Sequence, residues 1–433
     1  MNIKNYGKII QKMNTKIKIF IEEITLNKVI NYLLVLFAFT FPLSSKKSTV
    51  VLVLIILLWI IEGNWKSKCE ILYSSKPFRY YFAFIIFMGL SLLWSDSIYG
   101  GFVKHYPSNG IVAYIRMYFF GFMLVPIMLT SMRLQYNKLV ISAFLSAMFI
   151  SEVTSWAVYM EWIHLNFVHA SDPSPFMHHS LYSIFLAVTI FLLLTEFFKV
   201  ENIYLRVAII FFILSALINL FLNGGRLGQL AFFVALITYI LMKFNITIKT
   251  VILSMASVIV IFFLAYQISP IFHHRIDTSV DSLEKISQGK FDTSWGNRVY
   301  ALIVAKDLVL ENPLLGVGIG SSKKEFIEKS KEYPLGNLVR VFWHMHNEYM
   351  QILLDTGLIG LLLFFLFIYT LLSLPLEKDM YILLFTFVVI YLVGFIGEPL
   401  FWNLQPFLLF NFFIGLFLLL EIHNKHKKGI EIR

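Results

Sequence analysis

Apolar stretches close to the ~20 residues a helix needs to cross a bilayer recur twelve times along this chain, and nothing else limits its fold so sharply. They fall near 28–44, 49–62, 80–95, 110–130, 139–160, 180–198, 205–222, 227–243, 248–268, 349–372, 379–397 and 400–420. Only 14% of the 433 residues are charged and 58% are apolar, against about 25% charged in soluble domains. That is too little charge to cover a water-facing surface, so most of the surface must face lipid. The expected fold class is an all-α polytopic membrane protein of about 12 transmembrane helices. Most cytosolic enzymes are thereby excluded, and no nucleic-acid partner is expected.

The formal net charge of +10 speaks first to topology, because short cytoplasmic loops concentrate Lys and Arg. With the N-terminus inside, the inner connections hold Lys66, Lys68, Lys76, Arg79, Arg133, Lys138, Lys199, Arg206, Lys243, Lys249 and Lys378, and the short outer ones only Lys46, Lys47, Lys104 and Arg226. Both tails are also basic. Lys46 and Lys47 are the local exception to the bias. The only cysteine, Cys69, excludes an internal disulfide, a Cys-based zinc site and an iron–sulfur cluster. Residues 1–27 are basic and precede an apolar run without a clear small-residue cleavage site, which reads as an uncleaved first span.

The expected layout is a cytoplasmic segment 1–27, spans over 28–268, an outer loop 269–348, spans over 349–420 and a cytoplasmic tail 421–433. A loop of that length is functional or disordered as a rule. This one has helix-like stretches at Asn297–Leu310 and Ser322–Lys331, with turn punctuation at Pro313, Gly316, Gly318, Gly320 and Pro334. It reads as a compact cap over the membrane helices. The outer loops 96–109 and 161–179 are the other places where a site can be built.

Several residues there carry chemistry. In Asn223-Gly-Gly-Arg226 two glycines suit a tight turn, and Arg226 either snorkels to lipid headgroups or meets a partner at the mouth of a span. Trp295-Gly-Asn-Arg298 opens a helix-like stretch, where Arg298 is either solvated or joins Arg226. Two permanently charged guanidinium forks suit a diphosphate. In His344-Met-His346-Asn347, Asn347 is a plausible N-cap, and Glu348 suits the positive end of the helix that follows. A histidine held there can act as a general base or be structural. No third metal ligand lies at useful sequence spacing, so no metal is expected.

The loop 161–179 has no Lys or Arg but four histidines, His164, His169, His178 and His179. It either lines an acceptor path or is an amphipathic interfacial loop. Lys104 is a further outer cation. Arg116 lies within a span and must find a partner or a cavity. Gly316-Val-Gly-Ile-Gly320 lacks the spacing of a dinucleotide-binding fingerprint and reads as turn chemistry.

Taken in order, three of these motifs resemble the O-antigen ligase family. Asn223–Leu230 resembles its glycine/serine–arginine turn, with Gly225 where serine is usual. Asn297-Arg298 followed by Glu311-Asn-Pro-Leu-Leu-Gly316-Val-Gly-Ile-Gly320 resembles its NR…NPLLGVGxG pattern. His346-Asn347-Glu348-Tyr-Met-Gln-Ile-Leu-Leu-Asp355-Thr-Gly357-Leu-Ile-Gly360 resembles HNxYLQxLxETGxxG. The resemblance implies the glycosyltransferase C superfold and inverting transfer without metal or other cofactor, with a glycan on undecaprenyl diphosphate as donor. It implies that Arg226 and Arg298 contact the diphosphate and that His346 is the catalytic histidine. His344, Asn347, His178, His179, Lys104 and Arg116 are expected to help bind substrate.

The resulting expectation is an O-antigen ligase of the bacterial inner membrane, acting on its periplasmic face. It would transfer a preassembled glycan to a sugar hydroxyl of lipid A–core, with membrane lipids around it. An O-antigen polymerase and a protein O-oligosaccharyltransferase are the alternatives within the resemblance, and a lipid or small-molecule transporter is the alternative from another class. Transporters place ionisable groups near the bilayer midplane; here the distinctive ones gather at one surface.

Overall fold

The computed structural model describes residues 25–427, apart from 97–101, 104–105, 108–109 and 343. The described residues are almost wholly helical, the one ladder being a two-residue antiparallel pair, Phe102–Val103 with Tyr106–Pro107. Each of the twelve apolar segments falls on a helix or a broken run of helix. Among the described residues eight helices are long and apolar enough to cross a membrane, or nine if the pair Ser45–Glu62 and Trp65–Ser74, bent by 113°, is one span. The count is lower than twelve because Leu26–Thr40 and Phe120–Ser131 are short and Lys378–Gly394 has only 17 residues.

His179–Phe197 and Leu404–Lys427 run through the centre, apolar on every side, as a helix surrounded by others must be. Phenylalanines fill the space between them and their neighbours: Phe41 packs on Phe144, Phe185 and Phe412, and Phe387 on Phe410, Phe413 and Phe417. Ile248–Ile268 lies at the periphery with most of its apolar side chains uncovered, the surface that lipid covers.

The long connection carries three helices, Pro270–Ser287, Ser294–Glu311 and Ser322–Ser330. The last two match the expected stretches; the first was not expected, although Ser269 caps it and Pro270 opens it, the usual start signal. A small core of its own, with Tyr300, Val304, Leu308, Phe326 and Val339, reaches Met345 and Leu354.

The glycine-rich stretch docks this connection onto the bundle. Gly316 and Gly318 have φ of 63° and 83°, which L side chains rarely adopt. Val317 and Gly318 N–H donate to the Leu354 and Asp355 carbonyls at 2.7 and 3.1 Å. Those carbonyls are free because helix Glu348–Leu372 is interrupted at Gly357, φ 64°. The motif is turn chemistry, as its spacing implied.

Candidate active site

One cavity of about 460 Å³ opens where the long connection meets the bundle. Three arginines line it. Arg226 starts helix Arg226–Lys243, whose positive dipole end faces the same region; Arg275 comes from Pro270–Ser287 and Arg298 from Ser294–Glu311. Arg226 Nη1 donates to Ser279 Oγ at 2.6 Å and its guanidinium lies 5.9 Å from the Trp295 ring. Arg298 Nη1 makes a long contact of 3.4 Å with the Gly397 carbonyl. Among the described residues no carboxylate oxygen comes within 4.0 Å of any of the three. The charges of Arg275 and Arg298 act against that of Arg226, and none of the three is ion-paired, so an anion in the cavity relieves their repulsion.

The glycines of the Asn223–Arg226 turn serve packing more than turning, because neither has a positive φ. A Cβ on Gly225 would stand 2.4 Å from Ser183 Oγ and 2.5 Å from the His179 carbonyl oxygen. One on Gly224 would stand 2.8 Å from Arg275 Nη2. Asp172 ties this turn to the histidine-rich loop: its Oδ1 accepts from Gly224 N–H at 3.2 Å, and its Oδ2 is 2.5 Å from His179 Nδ1. Burial alone would raise the Asp172 carboxyl, but the His179 and Gly224 contacts outweigh it and hold it below its ordinary value. His178 packs against His179 with ring centroids 3.9 Å apart and planes tilted by 38°. Its imidazole is pushed down, by burial first and then by the charges of His179 and Arg298.

His346 forms another wall of the cavity. Its φ is 49°, unusual for a residue with a side chain and the kind of local strain that gathers at functional sites. His346 Nδ1 lies 3.3 Å from Glu398 Oε2, and His344 Nε2 lies 3.9 Å from Glu398 Oε1. His346 N–H donates to His344 Nδ1 at 3.2 Å, so a neutral His344 carries its proton on Nε2. Burial, with Arg298 and His346 adding to it, drives the His344 imidazole down to about 4. Glu398 is pushed up by burial, but His346, His344 and Arg298 outweigh that and keep it below the ordinary carboxylate range.

Asn347 caps helix Glu348–Leu372 by accepting from Met350 N–H at 2.9 Å, and its Nδ2 donates to the Ile396 carbonyl at 2.9 Å. Its side chain thus holds the histidine turn in place. Glu348 is fully buried, its Oε2 accepting from Phe401 N–H at 2.8 Å. The segment 395–401 is thus clamped to the helix start beside His346.

Of the residues singled out in sequence, the cavity gathers Arg226, Arg298, His178, His179 and His346. His344 stands behind His346, against Trp402. Arg116 lines a separate recess, and Lys104 lies outside the described residues. Three contributors were missed: Arg275, Asp172 and Glu398. Glu398 adds a carboxylate to the two histidines that sequence spacing does not place there. Ligand atoms of His344, His346 and Glu398 lie within 4.8 Å of one another, because the fold brings in a carboxylate from 52 residues downstream. These three groups could hold a metal ion.

Residues 209–365 match the family model described as O-antigen ligase. The chain carries an O-antigen ligase family domain. No curated protein matches it significantly. The matched segment includes Arg226, Arg275, Arg298, His344 and His346. Glu398 and the loop of Asp172 complete the site from outside it. The matched segment supports ligase- or polymerase-type function with lipid-linked glycan and lipid acceptor substrates in general, and the apolar helices suggest a multi-pass membrane protein.

Proposed function

We propose that the protein is an O-antigen ligase. It moves a preassembled glycan from undecaprenyl diphosphate to a sugar hydroxyl of lipid A–core, with inversion, on the periplasmic face of the inner membrane. The observation that carries this reading is the set of three guanidinium groups, none in an ion pair, in one cavity with the His346–Glu398 pair.

The diphosphate seats against Arg226, Arg275 and Arg298. Bidentate contacts fix it, and three positive charges stabilise the charge that builds as the bond from the anomeric carbon to the phosphate oxygen breaks. Glu398 accepts the Nδ1 proton of His346, which leaves Nε2 as the basic nitrogen. His346 takes the proton of the acceptor hydroxyl as its oxygen bonds to the anomeric carbon from the opposite face. The products are the glycosylated acceptor and undecaprenyl diphosphate, and the proton later leaves His346 for water. A departing diphosphate needs no strong general acid.

The test is a deletion strain. If this reading holds, lipopolysaccharide cores lack repeats while long glycan accumulates on the lipid carrier. Cores carrying single repeats would instead make the protein a polymerase. Normal pools of both would exclude lipid A–core as acceptor.

A further inference from the structure

Lys46 and Arg116 stand out twice. Lys46 breaks the charge bias of the short loops, and Arg116 lies within an apolar segment where an uncompensated charge is costly. The fold brings them to one recess of about 340 Å³, lined also by Ser45, Thr49, Ile115, Phe120 and Leu404. Arg116 sits on a five-residue π-helical turn, Ile115–Phe119, a distortion that recurs at functional sites. No carboxylate lies within 4.0 Å of either cation among the described residues. Around the recess Val50, Ile115 and Phe119 expose large apolar surfaces, so it opens toward lipid.

The recess shares no lining residue with the arginine cavity, yet the two are joined by one stretch of chain. Ile396 and Gly397 line the arginine cavity, Glu398 pairs with His346, the Trp402 ring lies 6.5 Å from that of His344, and Leu404 lines the recess. Two cations, two hydroxyls and apolar walls at a lipid-facing surface match one ligand chemistry, the phosphate of an amphiphile whose chains stay in the bilayer.

We propose that the recess between Lys46 and Arg116 seats a headgroup phosphate of the acceptor lipid, apart from the donor cavity and joined to it by residues 396–404. The identification with the acceptor rests on the ligase reading. A phosphate held there would anchor the acceptor beside Trp402 and let its sugars reach His346.

Direct binding to the purified full-length protein tests this, with no turnover involved. The probes are phosphorylated lipid A–core, the same glycolipid without its phosphates, and phosphatidylglycerol. Loss of two charge-assisted contacts is worth at least about tenfold in affinity. The variant K46Q/R116Q should bind phosphorylated lipid A–core weaker by that factor, and wild type should show the same deficit for the dephosphorylated lipid. K46R/R116K should keep tight binding and so guards against a folding defect. Equal loss of phosphatidylglycerol binding would overturn the acceptor assignment and make this a site for bulk phospholipid. Unchanged binding of phosphorylated lipid by K46Q/R116Q, or no preference for phosphate in wild type, would overturn the site itself. Neither result touches the ligase reading, which is tested by transfer.

Discussion

His346 Nδ1 lies 3.3 Å from Glu398 Oε2, although 52 residues separate them in the chain. The relation gives the histidine a defined role, because a carboxylate on Nδ1 selects the tautomer whose Nε2 is basic. Glu398 acts through His346 and is a positioning residue. The expectation for Glu398→Gln is a fall in kcat of up to about 10⁴-fold, the loss seen when an orienting carboxylate becomes its amide, with donor affinity kept within about twofold. Steady-state kinetics beside a donor-binding titration would show the split. A purely structural role would instead lower both together.

Arg275 should matter for the donor as much as Arg226 and Arg298. Removing one charge-assisted contact costs about 1.5–3 kcal/mol, so Arg275→Ala is expected to weaken binding of a lipid-linked diphosphate by about 10- to 100-fold. Arg275→Lys should recover only part, because an ammonium lacks the fork. An isotherm with undecaprenyl diphosphate checks this.

Adjacent glycines should fail in different ways. A Cβ at Gly225 meets Ser183 and the backbone of His179, so Gly225→Ala should destabilise the protein by about 1–3 kcal/mol, visible as a lower Tm in detergent. A Cβ at Gly224 meets the tip of a flexible side chain, Arg275. Gly224→Ala should therefore leave Tm nearly unchanged and weaken donor binding.

The depressed imidazole of His344 gives a pH dependence with a fixed sign. In the unfolded chain a histidine protonates near 6.5, while in the fold His344 protonates only at about 4. Between those values the unfolded state binds more protons, so stability falls as pH drops from about 6.5 toward 4. Thermal melts at pH 7 and pH 5 should show this loss, and His344→Gln should reduce it.

Metal removal separates two uses of the histidine–glutamate group. Glu398 already accepts from His346, and Arg298 places a positive charge close enough to lower both His344 and Glu398, which disfavours a divalent cation. Dialysis against a chelator is expected to leave transfer unchanged. Loss of activity restored by one metal would convert the pair into a ligand set.

The helices were legible because a bilayer imposes a length and a composition on every segment that crosses it, and each of the twelve apolar segments is helical. Arg226, Arg298 and His346 were legible as motifs around a turn or a helix start. Asp172, Arg275 and Glu398 were not, because each reaches the site through tertiary structure. Arg275 sits on a helix with too little apolar periodicity to draw notice, though the Ser269-Pro270 start was readable. Glu398 follows an apolar run so closely that it passed for the edge of a span; a carboxylate beside Pro399 between two such runs was the available signal. The number of crossings was less legible, because helices such as Leu26–Thr40 are apolar but short.

Transfer by the purified His346→Ala variant is the measurement closest to the central claim. Lipid-linked glycan and lipid A–core are supplied with wild-type and variant protein, and glycosylated core is followed alongside donor binding. The expected result is product with wild type and a loss of about 10²–10⁴-fold with the variant, with donor affinity intact. Product at the wild-type rate from His346→Ala would contradict the assignment of the base and the mechanism built on it.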